Sequence, residues 1–200
     1  MKAMYRVMKY CVKTPKRGLY LRPNRQWDRS NKHKFNIIGC SDSNYAKEPE
    51  KRRSVSGYSV FLEGAPVVMV SWMQGHVTLL VTKSKLGAAV NCAQDMMFVK
   101  RLLESMDLKV KLPMVLEVDN KGAMDLCNNW STGGRTRHVD VRMYFLREMK
   151  EAGIINIQWI AGENNSTDMF TKNLATKLFC KHVISYCGQD KYLLLDNKGL

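Results

Sequence analysis

The chain has 200 residues, 45% of them hydrophobic and 25% charged, which suits one globular domain with a real core. Its longest apolar run, near Ala65 to Trp72, is far too short to span a bilayer, so no membrane partner is expected. The formal net charge of +14 favours a polyanion, most simply nucleic acid.

Charge alone leaves room for a basic surface that binds nothing, but here it is clustered. From Lys2 to Lys34 the basic residues face only Asp28. A second group runs through Arg135, Arg137, Arg142, Arg147 and Lys150, with a solvated helix face as its plainer reading. None of the six cysteines forms a C-x-x-C pair, and lysines and arginines break the first twenty residues. They read as reduced thiols of an intracellular protein. Cys180, His182 and Cys187 lack the fourth ligand that structural zinc requires.

In chain order, Met4, Val7, Met8 and Cys11 recur at helical spacing with a basic opposite face. Pro15 and Gly18 end that helix, and residues 22–34 read as a polar, basic loop. Residues 35–40 are a strand candidate ending in Ser41-Asp42-Ser43-Asn44. Residues 57–62 and 67–72 flank Glu63-Gly64-Ala65-Pro66 and predict a hairpin, giving three antiparallel strands. From Thr82 to Glu104 the period changes, and Leu86, Ala89, Val90, Ala93, Met96 and Leu103 predict a long amphipathic helix.

Met114, Val115, Leu116 and Val118 then make a central strand that ends at Asp119. Asn120 is placed to cap a short helix over 121–128. A helix from about His138 to Glu151, a strand over 154–160 and a final helix holding Asp168, Met169, Phe170 and Leu174 complete the pattern. The order β-β-β-α-β-α-α-β-α predicts an α/β fold. Its mixed five-stranded sheet combines an antiparallel hairpin with parallel strands, flanked by helices. Right-handed crossovers set the strands ending at Asp42 and Asp119 side by side, and Asp168 can reach the same edge.

Singly, Asp42 reads as a turn residue, Asp119 as part of a helix cap and Asp168 as a first-turn acid. Jointly, three carboxylates converging from distant parts of the chain outline a metal site. Glu117, two residues before Asp119, sits a step inside the strand and reads as a partner for an arginine.

Several fixed-order motifs carry a resemblance. They are Ser41-Asp42-Ser43-Asn44-Tyr45-Ala46, Arg52-Arg53-Ser54-Val55-Ser56-Gly57-Tyr58, Val118-Asp119-Asn120-Lys121-Gly122-Ala123, residues 135–142 and Thr167-Asp168-Met169-Phe170-Thr171-Lys172. With this layout, the chain resembles the ribonuclease H domain of a copia-type retrotransposon polyprotein. The resemblance implies residues 1–34 as the tail of a preceding reverse-transcriptase region plus a basic linker. It gives 35–182 as the ribonuclease H-like domain and leaves 183–200 as a C-terminal tail.

It also implies hydrolysis of the RNA strand of an RNA–DNA hybrid with two Mg²⁺ (or Mn²⁺) ions, held by Asp42, Asp119, Asp168 and a glutamate on the long helix. Arg135, Arg137, His138 and Arg142 become candidate nucleic-acid contacts. Further partners implied are other nucleic acid and a reverse-transcriptase region outside this chain.

The sequence departs from that pattern at the glutamate. The helix opens Val81-Thr82-Lys83-Ser84-Lys85, and Lys85 falls at the position of the metal-binding Glu. Asn44 stands where an Asp is common, a position outside the four ligands. Two function classes follow. One is a ribonuclease H with impaired activity; the other is a non-catalytic nucleic-acid-binding remnant.

Overall fold

The computed structural model describes residues 2–25, 27, 29–30, 32–46, 52–75, 81–128 and 141–188. Helix α1 spans Lys2–Lys13, and a two-residue strand β1 lies at Lys34–Phe35. Strands β2 (Ile37–Asn44), β3 (Val55–Leu62) and β4 (Ala65–Met73) follow. Then come α2 (Val81–Ser105), β5 (Lys109–Val110), β6 (Met114–Val118) and α3 (Lys121–Asn128). Helix α4 (Val141–Glu151), β7 (Ile155–Trp159), a 3-10 turn at Gly162–Asn164, α5 (Asp168–Thr171) and α6 (Thr176–Cys187) close the chain.

The main sheet has the order β4-β3-β2-β6-β7. Strands β2, β3 and β4 pair antiparallel, while β2–β6 and β6–β7 are parallel. This is the mixed α/β sheet that the element order predicts. The hairpin turn is tighter than the sequence suggests. Only Glu63 and Gly64 lie outside the strands, at φ +49° and +84°, and glycine takes the second value without strain. Pro66 joins the edge strand β4 beside a register shift, where its missing N–H is tolerated.

One face of the sheet is sealed by α2. Leu86, Ala89, Ala93, Met96 and Leu103 pack with Ile37, Val60, Met114 and Leu116. Each large buried side chain contributes on the order of 2 kcal/mol. A Cβ at Gly39 would collide with the sulfurs of Met96 and Cys92, so this glycine lets the helix sit close against β2. On the opposite face α6 covers Cys40 and Phe61 with Tyr186, whose hydroxyl meets Ser59 at 2.9 Å and Ser166 at 3.0 Å.

Three boundaries differ from the sequence reading. Asp42 lies inside β2, which continues to Asn44. The single helix expected through Leu174 is two helices, because Lys172 is extended (φ −128°, ψ 150°) and α6 begins only at Thr176. Helix α6 also runs through the boundary placed after residue 182, with Val183 3% and Tyr186 4% exposed. Among the described residues no helix is long and apolar enough to cross a membrane.

Candidate active site

Parallel pairing of β2 with β6 matches Ser41 to Val118, so the next residues, Asp42 inside β2 and Asp119 just past the end of β6, stand side by side. Each comes from a buried strand, which fixes its direction. Asn120 accepts the Ala123 N–H at 2.7 Å and caps α3, turning the chain away immediately after Asp119. Asp168 arrives from the far side of the sheet. Its approach is set by Asn165, which is fully buried. The Asn165 amide donates to Ser41 O at 2.9 Å, while its oxygen accepts the Thr167 N–H and hydroxyl at 3.1 and 2.6 Å. One oxygen from each of Asp42, Asp119 and Asp168 lies within 4.8 Å of the others.

Lys85 enters from α2. A hydroxyl contact between Ser43 and Ser84, together with Gln74 bonds to Ser56 (2.6 Å) and Ser84 O (3.1 Å), pins the start of that helix over β2. The Lys85 ammonium then donates to Asp119 Oδ2 at 2.5 Å and Asp42 Oδ1 at 3.1 Å. A second ammonium, on Lys172, lies 2.7 Å from Asp168 Oδ1 and 3.3 Å from Asp42 Oδ2. The Thr171 hydroxyl donates to the same Asp42 oxygen. Three carboxylates are thus interleaved with two lysines.

These neighbours divide the acids. Burial pushes the Asp42 carboxyl up, but the Lys85 charge, the Thr171 hydroxyl and Lys172 outweigh it and hold its pKa below the usual 3.8. Burial carries Asp168 up to about 6, against the Lys172 hydrogen bond and with repulsion from Asp42 and Asp119 added. Burial lowers the Lys172 ammonium, yet Asp168 and Asp42 leave it above its ordinary 10.5. Lys172 therefore stays charged, and Asp168 is the readiest of the two shifted acids to take a proton.

No family model matches the chain. Over 150 residues, 74% of this chain, it is 30% identical to a retrovirus-related Pol polyprotein from transposon TNT 1-94 of Nicotiana tabacum. Over 179 residues, 90% of this chain, it is 24% identical to the corresponding polyprotein from transposon RE1 of Arabidopsis thaliana. The chain spans 11% and 12% of the length of these relatives. Among solved structures, LC11-RNase H1, isolated from compost by a metagenomic approach, matches with a TM-score of 0.52 at 14% identity. That match covers 68% of this chain and 92% of the other. The same enzyme in complex with an RNA/DNA hybrid also gives 0.52 at 14% identity, over 68% and 94% of the two chains.

The chain has a ribonuclease H-like fold, and its sequence is similar to a segment of retrovirus-related Pol polyproteins from transposons. Within this domain, the three aspartates expected to converge do so, and Lys85 sits among them. Their oxygens suit a hard divalent ion. The Lys85 ammonium does not, since it already occupies the space between Asp42 and Asp119. The residues as they stand therefore do not fit such an ion.

Arg135, Arg137 and His138 lie outside the described residues, and Arg142 falls in the first turn of α4. Glu117 is no part of the cluster; it accepts from the Cys40 thiol at 3.2 Å, and no arginine among the described residues pairs with it. Lys172 and Asn165 are site residues that the sequence reading passed over. Lys172 had a signal, since it follows Asp168 by four residues, one helical turn. Asn165 had none beyond a polar residue in a turn.

Proposed function

We propose that this ribonuclease H domain binds RNA–DNA hybrids and related nucleic acid while its hydrolysis of the RNA strand is impaired. The observation that carries the reading is the Lys85 ammonium bridging Asp42 and Asp119. In the family chemistry, Mg²⁺ or Mn²⁺ would activate water and stabilise the leaving oxygen. Against the family Glu, Lys85 changes the local charge by two units and replaces a ligand with a competing cation. Two unit charges 4 Å apart interact by about 4 kcal/mol at an effective dielectric of about 20. Repulsion of that size weakens ion binding by orders of magnitude.

What remains is a fold of the kind that holds an RNA/DNA hybrid in LC11-RNase H1, on a chain carrying a charge of +14. In this reading the domain works inside the cell beside a reverse-transcriptase region, and residues 135–142 add nucleic-acid contacts. The stronger form of the reading, a non-catalytic binding remnant, draws on the same lysine. A labelled hybrid incubated with Mg²⁺ or Mn²⁺ separates the two forms. The unmodified chain should bind it and yield little product, while Lys85→Glu should gain metal-dependent cleavage. Robust cleavage by the unmodified chain would overturn the reading.

A further inference from the structure

Far from the carboxylates, β1 and β5 pair as a two-stranded parallel ribbon. Lys34 stands opposite Lys109, and Phe35 opposite Val110. Phe35 and Val110 turn inward onto the main core, and the Lys111 N–H bonds Phe35 O at 2.8 Å, so the ribbon is anchored. Side chains along a strand alternate in direction. Lys111, two residues beyond Lys109, therefore shares the outward face with it, and Lys32 lies two residues before Lys34. All four lysines are exposed, as is Arg25 beside them.

Among the described residues no ion pair neutralises the four lysines of this face. The neighbouring carboxylate is Glu63, only 9% exposed, and it is already engaged. It accepts the Asn36 N–H at 2.8 Å and lies 3.7 Å from Arg25 and 3.6 Å from His33. Lys32, Lys34, Lys109 and Lys111 form no ion pair among the described residues. Arg25, Lys32, Lys34 and Lys111 instead line one cleft of about 790 Å³, with Glu63 at its wall. Like charges set directly opposite across a strand pair oppose folding. An anion laid along the ribbon would relieve that repulsion.

We infer that the β1–β5 ribbon is a second phosphate-contact surface, which takes the backbone of a nucleic-acid strand or duplex away from the carboxylate cluster. The inference rests on the nucleic-acid-binding reading above. A strand advances about 3.3 Å per residue, so the six steps from Asn36 to Asp42 place the two sites on the order of 20 Å apart. The lysines offer flexible point charges without a planar fork for a base edge. Contact with phosphates independent of sequence follows.

The test compares the full chain with Lys34→Gln/Lys109→Gln/Lys111→Gln, binding an RNA–DNA hybrid and a DNA duplex across a range of salt. A control variant, Lys9→Gln/Lys16→Gln/Lys177→Gln, removes equal charge elsewhere. The ribbon variant should flatten the dependence of log K on log salt by about 0.9 for each lost duplex phosphate contact. The control should flatten it less. Equal slopes for the ribbon variant and the unmodified chain would overturn this inference and leave hybrid binding intact. Absence of binding by the unmodified chain at low salt would overturn both. If the ribbon variant loses binding to phosphatidylserine vesicles while its nucleic-acid binding is unchanged, the partner is a membrane surface and the inference fails.

Discussion

The carboxylate cluster and the lysine ribbon stand toward opposite ends of β2 and handle charge in opposite ways. At the cluster, Asp42, Asp119 and Asp168 are interleaved with Lys85 and Lys172, so the chain supplies its own counter-charges. At the ribbon, Lys34 faces Lys109 with Lys111 alongside, and no carboxylate pairs with them among the described residues. A closed charge set contributes to folding, whereas an open one is a demand for an external partner. Removing a lysine should therefore have opposite signs at the two places.

The largest effect is expected at the cluster. Lys85→Met leaves buried carboxylates facing one another and should lower stability by about 3 kcal/mol, read by urea unfolding. An unchanged midpoint would mean that Lys85 does not hold the cluster together. Gly57→Ala tests the approach of α5. Gly57 pairs with Asp42 across β2 and β3, and a Cβ there would lie 2.7 Å from Phe170 Cβ and 2.9 Å from Thr171 Cγ2. The substitution should cost about 2 kcal/mol and push Thr171 and Lys172 away from Asp42. If it is neutral in the same unfolding measurement, α5 is not seated as described.

The acids of the cluster should also titrate apart. Followed by NMR of the carboxyl carbons, Asp168 should titrate near 6 and Asp42 below 3.8. The folded pKa of Asp168 is raised, so between 3.8 and about 6 the native state keeps a proton that the unfolded chain gives up. Its contribution therefore makes stability fall as pH rises through that window. Asp42 acts in the opposite sense, with its contribution present above 3.8 and lost as pH falls through its lowered value. Coincident titration of both near 3.8 would remove the asymmetry. The smallest effect belongs to the ribbon. Lys109→Gln should raise stability by about 0.5 kcal/mol, because it relieves the repulsion with Lys34. A loss of stability there would break the contrast.

The cluster was more legible in the sequence than the ribbon, for physical reasons. Apolar runs before Asp42 and Asp119 announce two strands, and crossover handedness puts them together. Lys85 sits at the start of the longest periodic helix, so its position could be read as well. Lys172 follows Asp168 by one helical turn, a signal in the sequence, whereas the break in the helix shows only in the extended backbone at Lys172. The ribbon was hidden more completely. Two residues show no period, and β1 and β5 lie far apart in the chain, so residues 22–34 read as a basic loop. The clustered charge was visible, but its pairing with Lys109 and Lys111 exists only in the fold.

The central claim is that the Lys85 ammonium takes the place of a divalent ion among Asp42, Asp119 and Asp168. Thermal melting of the full chain and of Lys85→Glu, each titrated with Mn²⁺ against a chelator control, tests it most directly. The account predicts no metal-dependent rise in melting temperature for the unmodified chain and a clear rise for Lys85→Glu. An equal rise in both would contradict it.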